Sequence, residues 1–552
     1  MGIKKIPVWI ALLILLALII GFFAGNFISD KSLTRKLFIH PENKIEMILD
    51  IIDQDYVDAI DMNDLTERAI PKIIGELDPH SDYISDKDLA SMKEDMEGQF
   101  AGIGVDFVIH LDTIVVISVT HGGPSEQAGI LPGDRIVMVN DSMLTNELLT
   151  KEKVYSLFKD SIGTSIKMGI MRNHLDKIIE YNVIRGYIPL TTIKAAYEVA
   201  PGIGLIKIYD KFSYTTYDEF IKAVAKLIKM GCSSFILDLR MNKGGTLDAA
   251  LNICNEFLSN GQSIVYIEGK SYPREDFVAN GLGILPDNQL VIIMDQISAS
   301  ASEIVAGAIQ DNDRGLIIGQ KSFGKGLVQN QIELSDGSAI RLTIARYFTP
   351  SGRNIQRAYE MGKSIQYNQE WIDQLFSDEN HFFIPDSTQI FYTATGRSVY
   401  GGGGIMPDIY VPIDTADLTS YYMNLEHKGI FHQFAFDYSD VNRKILSQFN
   451  HYEEMLEYLQ SQPILYEIVN YAEQKGVRRR SSLIRISSER ILRSTYANIL
   501  FNFFGEEASF IVSMANDHTI QKAVEIIQRG EAYPSAISMR RYETSIQTPG
   551  GL

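Results

Sequence analysis

Two short segments carry residue types that together suit acyl transfer. The first is Ser298-Ala299-Ser300-Ala301-Ser302-Glu303, which follows an apolar run and opens a helical pattern. A hydroxyl at such a junction lies near the free N–H groups of a helix start. Those donors, with the helix dipole, can stabilise a developing oxyanion. The segment has an ordinary reading too, because Ser300-x-x-Glu303 is also a capping-box pattern. The second segment is Ser322-Phe323-Gly324-Lys325-Gly326. Two glycines let the backbone approach another surface closely, and they set the lysine at the entrance of a strand, Leu327 to Ile332. Burial there would disfavour the ammonium form and lower its pKa. A neutral Lys325 could take the proton of a serine hydroxyl, as in a Ser-Lys pair. Read alone, an exposed turn lysine explains the residue as well.

Gln329 is the third element. In a regular strand Lys325, Leu327 and Gln329 share a face, with the Cα atoms of Lys325 and Gln329 about 13 Å apart. Contact therefore requires a bend, which Gly326 can supply, and the Gln carbonyl could then accept from the Lys nitrogen. The segment Asp238-Leu239-Arg240-Met241-Asn242-Lys243-Gly244-Gly245 runs from an apolar strand into a Gly-Gly turn. Paired glycines let backbone N–H groups face a ligand oxygen. An ordinary strand-to-helix turn fits that segment too.

These residues need a scaffold, and residues 188–358 alternate strand and helix patterns. Ile203 to Ile208, Phe235 to Leu239 and Leu290 to Met294 read as strands. Tyr217 to Met230, Thr246 to Leu258 and about Ser302 to Gln310 read as helices. Strands apolar on both faces, alternating with helices, argue for an α/β core. Residues 96–187 differ. Short β-rich runs (Ile114 to Val119, Ile136 to Val139, Ser165 to Met171, Ile178 to Val183) are separated by Gly, Pro, Asn and Asp. Residues 31–95 and 426–535 read as mostly helical, and 536–552 as a fraying tail.

At 552 residues the chain is expected to hold several domains. A net charge of −18 argues against a nucleic-acid partner. A basic cluster, Arg478-Arg479-Arg480 with Arg485, Arg490 and Arg493, reads as a solvated helix face. The two cysteines, Cys232 and Cys254, read as buried free thiols. No histidine spacing suggests a metal, and no cofactor is expected. After Lys4 and Lys5 an uncharged run from Ile6 to Ser29 is long enough to cross a bilayer as a helix. Phe22-Phe23-Ala24 is a poor cleavage site, so residues 1–30 read as an uncleaved anchor. Positive charges flank both sides, and a short tail inside with a large domain outside is the simpler topology.

Taken together, the motifs resemble the C-terminal processing peptidases, or tail-specific proteases, over about residues 40–415. Leu77-Asp78-Pro79-His80-Ser81, the Asp238 to Gly245 turn, Ser298 to Glu303, and Phe323-Gly324-Lys325-Gly326 with Gln329 agree in order and spacing. Thr349-Pro350-Ser351-Gly352-Arg353 with Ile355-Gln356 adds a fifth motif. The resemblance implies Ser300 as nucleophile, Lys325 as general base and Gln329 as its support. It implies an oxyanion hole from the Ala301 N–H and that of a glycine in the Gly-Gly turn, Gly244 before Gly245. Segment 96–187 looks like the family's PDZ domain, with Gly102-Ile103-Gly104-Val105 as the loop that receives a substrate's C-terminal carboxylate. The peptide would add as a strand to the sheet edge and insert an apolar residue in a pocket. The implied protease core, residues 188–425, is a crotonase-like (ClpP/crotonase) α/β fold with the PDZ domain inserted.

The expected function is a serine endopeptidase cutting exported proteins or peptides near free, apolar C-termini. It would sit at a bacterial inner (plasma) membrane, single-pass, with the catalytic domain on the periplasmic or extracytoplasmic side. A homo-oligomer stays open. Tail binding is expected to move the PDZ domain, near Arg135, and open the site. Two other readings compete: a catalytically silent, membrane-tethered PDZ scaffold, and an acyl-CoA hydrolase suggested by fold analogy alone.

Overall fold

The strand Ile203–Ile208 is buried at every position, because it lies inside a sheet covered on both faces. In a computed structural model of the chain, the described residues are 9–10, 13, 15–21, 44–110, 113–144, 149–172, 177–376 and 389–534. The central sheet orders Ile193–Ala200, Ile203–Ile208, Ser234–Asp238, Gln289–Met294, Leu316–Gly319 and Ile409–Tyr410. The first pair is antiparallel and the rest are parallel. One face packs Ile206, Leu237 and Ile292 against Phe220, Ile253 and Val305 from helices Thr216–Lys229, Leu247–Phe257 and Ala301–Asp311. The other face packs Leu205, Ile236 and Ile293 against Ile520, Ala523 and Ile527 of helix His518–Gln528. Two covered faces explain why these strands read as continuous apolar runs rather than alternating ones.

A second, antiparallel sheet lies beside it. Ala339–Phe348 is its backbone, pairing with Asp82–Ile84, Ser263–Glu268 and Leu327–Glu333. The β-rich segment forms its own sheet in the order Val105–His110, Thr113–Val119, Arg135–Val139, Ser165–Met171, Ile178–Ile184. Ile114, Val116, Ile136, Met168 and Ile170 face its core. Val115 and Ile117 point the other way, yet they are buried, because Phe436 of helix Ile430–Val441 covers them.

The C-terminal helices pack around Tyr421, Leu425, Phe431, Leu459, Ile468, Ile491 and Leu500. The long helix Ser488–Ser513 breaks at Gly505, whose φ of 75° and ψ of −161° are not helical. A left-handed φ of this kind is open to glycine and costly for other residues. Beyond the break, Glu506 and Glu507 pair with Lys194 and Lys226 of the α/β core.

The chain divides into two compact units, Met1–Glu76 and Leu77–Leu552. All of the above belongs to the second. The first holds helices Lys44–Asp55 and Met62–Gly75, the latter capped by Asp61, whose carboxylate accepts from Asn63 N and Asp64 N. Much of the run expected to cross a membrane, Ile6 to Ser29, lies outside the described residues, as does the tail 536–552. No helix among the described residues is long and apolar enough to cross a membrane. Cys232 and Cys254 are free and buried.

Candidate active site

Strand Gln289–Met294 ends at Asp295, whose carboxylate accepts from Ile297 N, Ser298 N and Ser298 Oγ at 3.0 Å each. It also accepts from Met241 N at 3.0 Å. This tight turn delivers the chain to Ser300, the N-cap of helix Ala301–Asp311, at φ 54° and ψ −114°. Few L-residues adopt such a conformation, and holding one there costs about 1–3 kcal/mol unless its surroundings enforce it. Two contacts do so: Ala299 N donates to Asn242 O at 3.0 Å, and Ser300 N donates to Glu303 Oε2 at 2.8 Å.

The Gly-Gly turn lies against this junction. Gly244 has φ 95°, and a Cβ there would sit 2.6 Å from Ser300 Cβ and 2.9 Å from Ala301 N. Gly245 is equally constrained, since its Cβ would lie 2.1 Å from Phe212 O. The Ala301 N–H, first of its helix, has no intrahelical acceptor. The Gly244 N–H differs from the expectation that it faces a substrate oxygen. It donates to Asn242 Oδ1 at 2.9 Å, an atom that also accepts from Ser302 Oγ at 2.9 Å. The turn's start is held by an ion cluster: buried Asp238 pairs with Lys207 at 3.1 Å and Arg240 at 2.7 Å.

Lys325 is brought to Gln329, Nζ donating to Oε1 at 2.8 Å. The contact joins the residue before Gly326 to one within the strand that follows. Lys325 precedes the strand, which begins at Leu327, and the ladder shifts register between Val328 and Gln329. The Gly326 N–H donates to Gln356 Oε1 at 2.9 Å, and a Cβ there would lie 2.8 Å from Gln356 N. Burial pushes the Lys325 ammonium down to about 8, helped by the like charge of Arg341. A fraction of it is therefore neutral near neutral pH.

The amide of Gln329 is fixed at its other end, where Nε2 donates to the His80 carbonyl. That carbonyl is aimed by a turn built on Asp78. Its carboxylate accepts from His80 N and Ser81 N at 2.9 Å and from Ser81 Oγ at 2.6 Å. Ser81 Oγ accepts in turn from Thr343 N at 3.0 Å. Burial, then the nearby Lys325 charge, lowers the His80 imidazole to about 4, so the ring is neutral at ordinary pH.

The expected residues thus gather into two groups: Ser300, Ala301 and Gly244, and Lys325 with Gln329. No hydrogen bond joins Ser300 Oγ to Lys325 Nζ. The groups meet at Glu303, a residue read from the sequence only as a helix cap. Its carboxylate accepts from Ser300 N and Lys325 N on Oε2, and from Gly324 N and Ser322 Oγ on Oε1. The missed signal is its burial against donors from residues 322–325, which sequence spacing does not reveal.

The second expected site lies on the β-rich segment. Gly102 closes strand Gln99–Gly102, Ile103 is buried, Gly104 has φ 72°, and Val105 opens the edge strand Val105–His110. Ile103 O accepts from Ser125 N and Gly104 O from Thr120 N, both at 3.0 Å. The edge strand faces helix Lys151–Phe158 through Phe107, whose ring lies 5.3 Å from Tyr155 and 5.6 Å from Phe158.

Comparison with known proteins adds sequence likeness to this geometry. Residues 202–359 match peptidase family S41, residues 101–183 match the PDZ domain, and residues 421–505 match a family of unknown function. A carboxy-terminal-processing protease of Bartonella bacilliformis is 32% identical over 352 residues, covering 61% of this chain and 80% of that protein. A probable CtpA-like serine protease of Staphylococcus aureus is 33% identical over 356 residues, covering 64% and 69%. Among solved structures, a photosystem II D1 C-terminal processing protease is 27% identical, covering 56% of this chain and 89% of that one, with a TM-score of 0.31.

Proposed function

The chain belongs to peptidase family S41, as a serine protease of the carboxy-terminal-processing kind with a PDZ domain, and we propose that it works through Ser300 as nucleophile and Lys325 as general base. The observation that carries this reading is the lysine's setting. Lys325 is largely buried, its Nζ is directed by Gln329 Oε1, and its pKa is depressed to about 8. Such an amine can accept a proton without leaving the working pH range.

In the proposed reaction Ser300 Oγ attacks the scissile carbonyl carbon while neutral Lys325 takes the hydroxyl proton. The oxyanion forms beside the Ala301 N–H, where the helix dipole also favours negative charge. The C–N bond then breaks, and Lys325 returns the proton to the departing amine. Water attacks the acyl-enzyme with Lys325 again as base, which restores the Ser300 hydroxyl. Gln329 keeps the amine aimed throughout. A second oxyanion donor comes from the Gly-Gly turn. Gly244 qualifies once its N–H leaves Asn242 Oδ1, and Gly245 is the alternative.

The finer expectations belong to the same proposal. The core is crotonase-like. The PDZ domain takes apolar C-termini of exported proteins on the Val105–His110 edge, with Gly102, Ile103, Gly104 and Val105 at the carboxylate, and tail binding gates the site. The uncharged run Ile6 to Ser29 anchors the chain in a bacterial plasma membrane, catalytic domain outside the cytoplasm, and copies of the chain associate.

The test is Ser300→Ala beside Lys325→Arg, each assayed on a peptide substrate and with a fluorophosphonate probe. Both variants should be inactive, since a guanidinium cannot serve as the base, and Ser300→Ala should lose labelling. Wild-type cleavage by Ser300→Ala would remove Ser300 from the mechanism.

A further inference from the structure

We infer that Asp517, in the C-terminal helical region, is a positioning residue for the proposed reaction: it holds Arg240, and through Arg240 the Gly-Gly turn that lies against the nucleophile. The inference rests on the Ser300–Lys325 reading and goes beyond it, because it gives the C-terminal region a part in the chemistry.

Arg240 is fastened at every polar group it has. Its N–H donates to Asp238 Oδ1 at 2.9 Å, and its carbonyl accepts from Lys207 Nζ. In its guanidinium, Nε lies 3.1 Å and Nη2 2.7 Å from Asp238 Oδ2, which leaves Nη1 for Asp517 Oδ2 at 2.8 Å. A planar fork can hold two carboxylates at fixed angles, and an ammonium cannot.

The charges call for the second carboxylate. Asp238 is 0% exposed and serves two cations, Arg240 and Lys207. Lys207 Nζ lies against three acceptors, Asp238 Oδ1, Asp238 O and Arg240 O, which suits an ammonium. Burial pushes the Lys207 pKa down, and the Asp238 charge opposes that. The nearby Asp295 carboxylate is spent on Ile297 N, Ser298 N, Ser298 Oγ and Met241 N. Asp517 is then the anion that offsets the surplus positive charge at these strand ends.

From Arg240 the nucleophile's supports are two residues away. Met241 follows at φ 61°, a left-handed conformation that a non-glycine residue keeps only where its surroundings enforce it. Asn242 comes next. Its carbonyl accepts from Ala299 N, and its Oδ1 accepts from Gly244 N and Ser302 Oγ. A shift of Arg240 therefore moves the backbone that supports both the Ser300 junction and the Gly-Gly turn.

Asp517 has a second task, and the two can be separated. Its Oδ1 accepts from Ile520 N at 2.8 Å and caps helix His518–Gln528. Asn caps about as well as Asp. Asp517→Asn thus keeps the cap, removes the charge and turns an amide NH2 toward Arg240. The pair also lines a cavity of about 670 Å³, with Met241, Asp295, Phe510 and Met514. Arg240 is 19% and Asp517 20% exposed, so a small anion from solvent can reach the guanidinium once the carboxylate is cut away.

The experiment measures kcat, KM and the rate of fluorophosphonate labelling for the full chain with a peptide substrate. It compares wild type, Asp517→Asn, Asp517→Ser and Glu507→Gln, with thermal melts of each. Asp517→Asn should lose kcat about 10-fold or more through misplacement, with KM little changed and labelling slowed in parallel. Glu507→Gln cuts another contact of the same region with the core, at Lys226, and should keep wild-type kcat. Asp517→Ser also retains a capping oxygen. It should lose kcat and regain much of it in sodium formate, but not in sodium chloride at the same concentration. Wild-type kcat in Asp517→Asn overturns the inference. So does a loss that matches the unfolded fraction, a loss that Glu507→Gln shares, or a loss in folded Asp517→Ser that formate leaves unchanged. If the Asp517 variants do not fold, Arg240→Lys decides: it leaves the helix cap alone, and wild-type kcat there overturns the inference. The Ser300→Ala and Lys325→Arg controls keep the outcomes apart: their activity would remove the Ser-Lys reading, whereas their inactivity beside a fully active Asp517→Asn would remove only this one.

Discussion

Arg135 of the PDZ domain pairs with Asp440 of the C-terminal helices, Nη2 to Oδ2 at 2.9 Å. Around this pair, Phe436 covers Val115 and Ile117, and Arg443 lies so close to Gly133 that a Cβ there would sit 2.7 Å from its Nε. On the other side of the same helical region, Glu506 and Glu507 pair with Lys194 and Lys226 of the protease core. The C-terminal helical region, of which residues 421–505 match a family of unknown function, therefore bridges the PDZ sheet and the core. The two halves of this contact differ in weight. Arg135 is 32% exposed and Asp440 16%, so their pair contributes about 1 kcal/mol or less. Removing a buried phenylalanine costs about 3–5 kcal/mol.

Hydrogen exchange in the PDZ strand Thr113–Val119 should report that difference. Phe436→Ala should speed exchange there markedly, and Asp440→Ala should change it little. Equal effects would mean that the ion pair, not the apolar contact, docks the PDZ domain.

The buried lysine also has a cost in stability. Lys325 holds its proton to about pH 8 when folded but to 10.5 when unfolded. Across that window the unfolded chain binds more protons, so this site's contribution to stability rises with pH. At pH 7 the burden is fully present. Lys325→Met removes it but leaves Gln329 Oε1 without its donor, which offsets about 1 kcal/mol. The net should be an inactive variant more stable by roughly 2 kcal/mol at pH 7. The advantage should fade as pH rises from about 8 to 10.5 and be gone above that. Denaturant unfolding at several pH values measures this, and a variant less stable than wild type at pH 7 contradicts it.

Much of the scaffold was legible because it rests on local patterns. Strand Ile203–Ile208 was readable residue for residue, since both its faces are covered and Lys207 alone interrupts its apolar run. The approach of Lys325 to Gln329 was legible as a possibility, but the irregular ladder beside it was not. A register shift between Val328 and Gln329 lies beside it, and ladder irregularities depend on the partner strand. Glu303 looked like an ordinary cap because its three other donors come from residues 322–325. Asn242 is similar: only the folded turn shows its Oδ1 receiving the Gly244 N–H. Residues whose roles are set by distant backbone amides leave little trace in spacing.

The PDZ loop gives a test that leaves the protease core intact. Gly104 has φ 72°, and a Cβ would lie 3.0 Å from Ile188 Cδ1 and 3.1 Å from Thr120 Cβ. Gly104→Ala should cost about 1–2 kcal/mol from the left-handed conformation alone. It should also weaken binding of peptides with free apolar C-termini, measured by fluorescence anisotropy. Peptides with amidated C-termini should bind poorly to wild type and variant alike. Undiminished binding by Gly104→Ala would place the carboxylate elsewhere.

Gly244 is the more severe position. Its Cβ would meet Ser300 Cβ at 2.6 Å and Ala299 O at 2.7 Å, and neither is the free end of a flexible side chain. Gly244→Ala must therefore shift the Gly-Gly turn, the Ser300 junction or both. The central sheet is covered on both faces by separate apolar clusters, so the variant should still melt cooperatively, at a lower temperature. Peptide cleavage should fall at least about 100-fold, the range expected when oxyanion donors are displaced. Fluorophosphonate labelling of Ser300 should slow in parallel, because the reagent's phosphoryl oxygen would use the same donors. Fast labelling with lost peptide cleavage would show that the turn serves peptide binding and not the oxyanion. Wild-type rates for both would show that the turn moves aside without disturbing Ser300.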